Sequence, residues 1–389
     1  MLAAIGVAIA AVAGIVFAVG PGKAVQRTTA QRTTAQQSVT GSGGAGAGSG
    51  STGPAAPLRV VSVTPSAGSS AVNGADPVQV VFSAPLASDS PMPALSPAVP
   101  GTWRRAGTAA VFTPQDGFPA GTSVTVTVPA GASGVRSAAG ASAGGLLPAP
   151  VTRSFTTGSF STLRLQQLLA QLGYLPLSWT PAGSAIAASD ARAQVAAAYA
   201  PPAGTFTWQR GYPSTLDTLW QQGAGNMLDT GAIRAFEFQN GLTMDGVAGP
   251  KVWQALLQDV AAGKRNTAGY TYALASKASP ETLTIWHDGQ QVLQSLANTG
   301  IAASPTAVGT FPVYERLPFQ VMKGSNPNGT RYADPVQNVS YFNGGDAVHY
   351  IARASYGWPQ SLGCVELPLS QSAVAYRYLT YGSLVTVVA

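Results

Sequence analysis

The sequence predicts a multidomain, mainly β chain: a β-sandwich, then a small three-helix domain carrying an insertion, then a second β-rich domain. Three observations carry this. Apolar side chains alternate strictly in the first folded stretch, where Ser123-Val124-Thr125-Val126-Thr127-Val128 puts its valines on one face. The spacing then changes to i, i+3, i+4, i+7 at Leu165, Leu168, Leu169 and Leu172, the stripe of an amphipathic helix. From about residue 268 strand-like runs return, and the chain ends on the apolar stretch from Ser383 to Val388. With 389 residues, two or three folded units joined by linkers are expected.

Met1 to Gly20 carries no charged side chain and is long enough to span a bilayer as a helix of about twenty residues. Residues 1–24 are therefore expected to be a signal peptide or a membrane anchor. Lys23, Arg27 and Arg32 follow the apolar run, which opposes the orientation needed for export. Export is still the expectation, because the remainder has an extracellular composition, and the membrane should be met only through this segment. Residues 25–56 hold the repeat QRTTAQRTTAQQ and then GSGGAGAGSGSTGPAAP. So little apolar surface cannot offset the entropy of ordering, and a disordered linker is expected.

Residues 57–158 continue the alternation at Val78, Val80 and Phe82, with Val61 and Val63 opening the series and Pro/Gly clusters marking turns. The phrases VVSVTPSAG, VQVVFSAPL, GTSVTVTVPAG and RSFTTGS resemble bacterial Ig-like domains. Nothing in them suggests chemistry, and a spacer is expected. Residues 160–262 form the helical unit. Gly173 should close the first helix, Ile233, Phe236 and Leu242 bracket a second, and Val252, Trp253, Leu256 and Leu257 mark a third. LRLQQLLAQLGYLP and GAIRAFEFQNGLTMDGVAGPKVWQALL resemble the two halves of a three-helix peptidoglycan-binding domain. An insertion of roughly residues 177–228 separates them and is placed to reshape or cover the binding surface. In residues 268–389, Leu283 and Ile285 lead into the hairpin signal Asp288-Gly289. Ser370 is the expected cap of a helix carrying Val374 and Tyr378.

Charged residues make up 9% of the chain, against a usual share of about 25%, and Ala, Gly, Ser and Thr take their place. The net charge of +6 suits anionic polymers, or is simply an excess of arginine. No Lys/Arg cluster interleaved with aromatics is present, so nucleic acid is not an expected partner. One cysteine, Cys364, stands in Ser361-Leu362-Gly363-Cys364-Val365-Glu366. A lone exported thiol has no intramolecular disulfide partner and survives either buried and inert or as a working nucleophile. Gly363 lets a reacting group approach the backbone, and amides around Gly363 and Cys364 can face a developing oxyanion. A thiol of ordinary pKa needs a base nearby. Of the two histidines, His287 sits beside the Asp-Gly turn as a solvated hairpin residue, and His349, fifteen positions before Cys364, is the candidate base. Two histidines and one cysteine cannot build the usual zinc sites, so no metal and no cofactor are expected.

VHYIARASYGWPQSLGCVELP resembles the active-site signature of L,D-transpeptidases, and NTGIAASPTAVGTFPVY resembles the strand and Thr-Gly turn upstream of it. The resemblance covers roughly residues 280–389 and implies a β-rich catalytic domain with Cys364 as nucleophile and His349 as base. It further implies that the Tyr350 main-chain carbonyl orients the imidazole, that Ser361 and Gly363 shape the pocket and that amides near Cys364 bind the oxyanion, with Ser361, Leu362, Tyr341 and Phe342 as the expected substrate-binding residues. Residues 316–347, with Tyr332, Tyr341, Phe342 and Gly344-Gly345, are the candidate substrate lid. Leu362 departs from the histidine common at its position, Glu366 from the usual Arg or Asn, and the spacer after His349 is short. The implied reaction is acyl transfer through a Cys364 thioester. It would form 3→3 peptidoglycan cross-links, with stem peptides and glycan as partners; water as acceptor would make it an L,D-carboxypeptidase. A non-catalytic wall-binding scaffold and a cysteine peptidase acting on stems stand as alternatives. Nothing in the sequence indicates an oligomeric state.

Overall fold

The computed structural model describes residues 57–139 and 145–389. The expected signal peptide or anchor (1–24) and linker (25–56) lie outside the described residues. Among the described residues no helix is long and apolar enough to cross a membrane.

The first unit is a sandwich of seven strands: β1 (Val60–Thr64), β2 (Val78–Phe82), β3 (Ala94–Ser96), β4 (Gly101–Ala106), β5 (Ala109–Pro114), β6 (Ser123–Val128) and β7 (Val151–Thr156). They make a four-stranded sheet ordered β1-β2-β5-β4 and a three-stranded sheet ordered β3-β6-β7. Val78, Val80 and Phe82 share one core with Val124, Val126 and Val128, closed by Phe112, Phe118 and Phe155. Period-2 patterning puts all six on inner faces. The expected pair Val61 and Val63 needs correction. A register shift between Val60 and Ser62 turns Val61 outward to 65% exposure, and Val60 joins Val63 against the core.

In the second unit α1 (Thr162–Gln171) buries Leu165, Leu168 and Leu169, with Leu172 just beyond its end and Gly173 at φ +81°. Helix α4 (Met227–Gln239) starts with a capping box, in which Asn226 accepts from the Asp229 amide and Asp229 accepts from the Asn226 amide. It stops at Asn240, so Leu242 packs from the following loop. Helix α5 (Pro250–Ala261) opens with proline at its first position and buries Val252, Trp253 and Leu256. The 177–228 stretch is built structure. β8 (Leu177–Pro181) pairs antiparallel with β9 (Gly204–Trp208), and α2 (Ala191–Tyr199) lies between them in sequence, followed by α3 (Ser214–Asp217). Leu177, Ala198 and Leu216 belong to the same core as α1, α4 and α5. Helix α2 also faces the sandwich: the Tyr199 hydroxyl donates to the Phe118 carbonyl (3.1 Å) and Asn73 Nδ2 to the Ala196 carbonyl (3.2 Å).

The third unit holds β10 (Thr271–Ser276), β11 (Thr282–His287), β12 (Gln290–Leu296), β13 (Gly309–Pro312), β14 (Glu315–Ser325), β15 (Arg331–Asn343), β16 (Asp346–Tyr350), β17 (Val365–Leu367), α6 (Leu369–Tyr378) and β18 (Leu384–Val388). One sheet runs β12-β11-β10-β18-β13 and the other β14-β15-β16-β17. Asp288 (φ +46°) and Gly289 (φ +77°) form the two-residue turn between β11 and β12. Ser370 does not cap α6. The helix starts two residues earlier than that cap would set, with Pro368 at the cap position, and Ser370 Oγ bonds Gln371 in the first turn. Tyr270, Tyr272 and Leu384 join the helical unit's core, so apolar packing runs across the expected boundary at 262–268. Backbones meet there too. A Cβ on Gly382 would strike the Gly231 carbonyl, and one on Gly231 would meet the Gly382 carbonyl at 2.6 Å.

Candidate active site

The Cys364 loop is held by the segment that enters β13. The Ile301 amide donates to the Ser361 carbonyl (2.9 Å), the Gln360 and Ser361 amides both reach the Thr299 carbonyl, and Ser304 Oγ donates to the Leu362 carbonyl (2.9 Å). Within the loop, Ser361 Oγ donates to the Cys364 carbonyl (2.6 Å) and accepts from the Gly363 amide (3.2 Å). Ser361 is buried, and although it borders the cavity its hydroxyl is committed to contacts within the loop. The expected oxyanion donors narrow likewise: the Gly363 amide is taken by Ser361. No acceptor among the described residues takes the Cys364 amide. Gly363 sits at φ +121°, and a Cβ there would collide with Asp346 Oδ1. Glycine is therefore fixed by both the backbone and the carboxylate beside it.

Strand β16 runs parallel to β17 with Val348 opposite Val365 and His349 opposite Glu366. This brings His349 and Cys364 onto a common cavity of about 440 Å³, bordered also by Leu362, Arg353, Glu366 and Asp334. Cys364 Sγ faces the Gly345 carbonyl, at 3.7 Å. Burial, with the Asp346 and Glu366 charges adding to it, pushes the thiol up to about 12. Burial also pushes the imidazole of His349, only 2% exposed, below its ordinary value. Burial thus opposes the charged form of both groups. The Tyr350 backbone is near enough to favour the protonated ring. His349 Nδ1 nevertheless has no well-formed hydrogen bond, so the expected carbonyl contact is a loose one.

Other expected site residues divide across β15. Tyr341 packs on the Cys364 side, its hydroxyl donating to Gln320 Oε1 (2.6 Å). Phe342, one residue on, turns to the opposite face and packs with Phe311 in the buried core. Its side chain, 3% exposed, is not available to a substrate, which corrects its placement among the binding residues. The β14–β15 hairpin contributes Met322, Asn326, Asn328 and Tyr332 to the cavity wall. His287 is less solvated than expected. Its Nδ1 pairs with Thr271 Oγ1 (3.0 Å) and its ring lies 4.9 Å from that of Tyr378, away from the cavity.

Sequence reasoning missed the buried frame beneath the site. Glu366 receives Arg353 Nε (2.8 Å), Arg353 Nη2 (2.6 Å) and Asn298 Nδ2 (3.1 Å). Glu281, 1% exposed, takes the Thr299 amide (2.6 Å) and hydroxyl (2.7 Å). One signal was present: in a chain so poor in charge, a glutamate between Val365 and Leu367 marks a buried carboxylate that needs a cation. Among the described residues no group of three metal-ligating side chains comes together.

Residues 270–387 match the family model of the L,D-transpeptidase catalytic domain, and residues 54–157 match that of a bacterial Ig-like domain. At the family level the C-terminal unit is an L,D-transpeptidase catalytic domain, preceded in the chain by an Ig-like domain. Similar solved structures include an L,D-transpeptidase from Mycobacterium smegmatis, at 17% identity over 86% of this chain and 100% of that one, TM-score 0.29. Another, from Mycobacterium tuberculosis H37Rv, is at 16% identity over 85% and 98%, TM-score 0.28. The catalytic domain of the E. faecium L,D-transpeptidase is at 25% identity over 30% and 96%, TM-score 0.28. No curated protein matches the chain.

Proposed function

We propose that the chain is a peptidoglycan L,D-transpeptidase that forms 3→3 cross-links through a Cys364 thioester. The observation that carries this is the meeting of the sole cysteine and a buried histidine at one cavity, inside the segment matched to the catalytic-domain family. Neutral His349 takes the thiol proton as Sγ attacks the carbonyl of the third residue of a tetrapeptide stem. A preformed thiolate–imidazolium pair is disfavoured because burial opposes both charges. The Cys364 amide is the candidate donor for the oxyanion. The imidazolium then returns its proton to the departing D-Ala amine. Next, the side-chain amine of a second stem attacks the thioester and sulfur leaves, with His349 again carrying the proton.

The remaining units suit delivery to the wall. Residues 57–158 serve as spacer. The helical unit, 160–262, is the proposed peptidoglycan-binding domain, with 177–228 as its insertion, and residues 268–389 form the catalytic domain. Residues 1–24 would supply the signal or anchor and 25–56 the tether, which places the enzyme in the cell envelope. Incubation with a tetrapeptide stem, followed by mass spectrometry of the products, tests the activity. Cross-linked dimer from the unaltered chain and none from Cys364→Ala is expected. Equal dimer from both would refute the mechanism, and only shortened stem would identify an L,D-carboxypeptidase. One observation favours a non-catalytic, wall-binding reading: Sγ faces the Gly345 carbonyl and no hydrogen bond joins it to His349. A folded chain with a free thiol that forms no acyl-enzyme would establish that reading.

A further inference from the structure

The ionisable side chains bordering the catalytic cavity are Cys364, His349, Glu366, Arg353, Asp334 and Tyr332. Cys364 and His349 have roles in acyl transfer. Glu366 is 3% exposed and its oxygens are filled by Arg353 and Asn298. Arg353 in turn commits two of its three nitrogens to Glu366, so the pair adds no net charge to the cavity. Asp334 is different. It is half-buried on β15, opposite Met322 of β14, and no hydrogen bond or ion pair among the described residues reaches its carboxylate. It shares the cavity wall with Cys364 and His349, and its charge is a minor influence on His349, behind burial and Glu366. Of the two carboxylates on the cavity wall, Glu366 is paired and Asp334 is not, among the described residues.

A second stem's side-chain amine reaches the enzyme as an alkylammonium, since such amines have a pKa of about 10. It must be drawn from water into a partly buried site beside a thioester, and water competes with it there. A carboxylate with no partner of its own meets that need, because it stabilises the cation without giving up an existing ion pair. We propose that Asp334 receives the acceptor's ammonium and so sets the preference for amine over water at the acyl-enzyme; this rests on the transpeptidase reading above. The bound ammonium loses one proton to solvent, its nitrogen attacks the thioester carbonyl, and the C–S bond breaks. The second nitrogen proton passes through His349 to sulfur, so an amide and a free thiol result. No oxidant or further reactant is required.

The test draws two products from one acyl-enzyme. The full chain is given a tetrapeptide stem, which is both donor and cationic acceptor, together with hydroxylamine, a nucleophile that is neutral at neutral pH. Mass spectrometry gives the ratio of cross-linked dimer to hydroxamate, and this ratio does not depend on how fast acylation occurs. Asp334→Asn should lower the ratio roughly tenfold, the loss of one charge-assisted contact, and Asp334→Glu should restore part of it. In the unaltered chain, raised salt should lower the ratio, a readout that needs no variant. A ratio unmoved by Asp334→Asn, or by salt in the unaltered chain, overturns the assignment. So does an unaltered chain that makes hydroxamate but no dimer. Absence of both products and of any acyl-enzyme refutes the underlying transpeptidase reading instead.

Discussion

The Ig-like sandwich and the catalytic domain are both built from alternating strands, yet they bury different things. In the sandwich the buried polar residues are Ser90, Ser137 and Thr157, all uncharged, beneath a core of valines and phenylalanines. The catalytic domain buries His349, Glu281 and Glu366, together with Asn298, Thr299 and Ser361, and all of these lie at or under the Cys364 loop. Burying a charge costs several kcal/mol unless it is paired, so these groups stay buried only through their specific contacts. Two sheets of similar pattern thus differ in purpose. One buries almost nothing but apolar side chains, and the other buries charged and polar groups that hold the Cys364 loop.

The largest effects should separate the two regions outright. Cys364→Ala and His349→Ala should each abolish dimer formation from tetrapeptide stems while leaving the thermal unfolding cooperative. His287→Ala, away from the cavity, should change turnover little. Turnover persisting in His349→Ala would remove the base from the mechanism. Next comes the buried frame. Arg353→Ala leaves Glu366 without its cation and should cost about 3 kcal/mol in urea unfolding. Because Arg353 is 30% exposed on its side chain, Arg353→Lys should recover part of that loss but not the two-point contact. An equally costly change in the sandwich, Val126→Ala, should remove about 2 kcal/mol yet leave acylation of the folded chain unchanged. If Val126→Ala slows acylation, the two regions are coupled and the contrast fails.

Gly363→Ala tests the loop more locally. The added methyl meets Asp346 Oδ1 and a φ that alanine resists, so acylation should fall while global stability changes by only about 1–3 kcal/mol. The smallest effect expected is on the pH profile. Neutral imidazole is the active form, so acylation should rise with pH and level off below 6.5, since burial lowers the His349 pKa. With the thiol pushed up to about 12, free thiolate adds no further slope through mildly alkaline pH. A rate that climbs tenfold per pH unit from 7 to 9 would point to direct thiolate attack without His349.

Much of the fold was legible because period is a local property. Val124, Val126 and Val128, the Leu165–Leu169 stripe and the Asp288-Gly289 turn each read correctly from a few adjacent residues. The failures had non-local causes. Val61 was turned outward by a bulge that depends on β2, and α6 began before Ser370 because Pro368 supplies its entry geometry. How the 177–228 stretch is built in was likewise not legible locally: Leu177, Ala198 and Leu216 complete a core shared with α1, α4 and α5. At the site, unique residue types carried the information: one cysteine and two histidines leave few pairings. Phe342 was misplaced because a one-residue step along β15 reverses the face. Asn298, Glu281 and Arg353 were invisible because their roles depend on partners between thirteen and sixty-eight residues away.

The most direct measurement is intact-protein mass spectrometry of the full chain after incubation with a carbapenem, beside Cys364→Ser and His349→Ala. A stable single adduct is expected on the unaltered chain, none on Cys364→Ser, and strongly slowed formation on His349→Ala. No adduct on a folded chain with a titratable thiol would contradict this, and so would an adduct that survives Cys364→Ser.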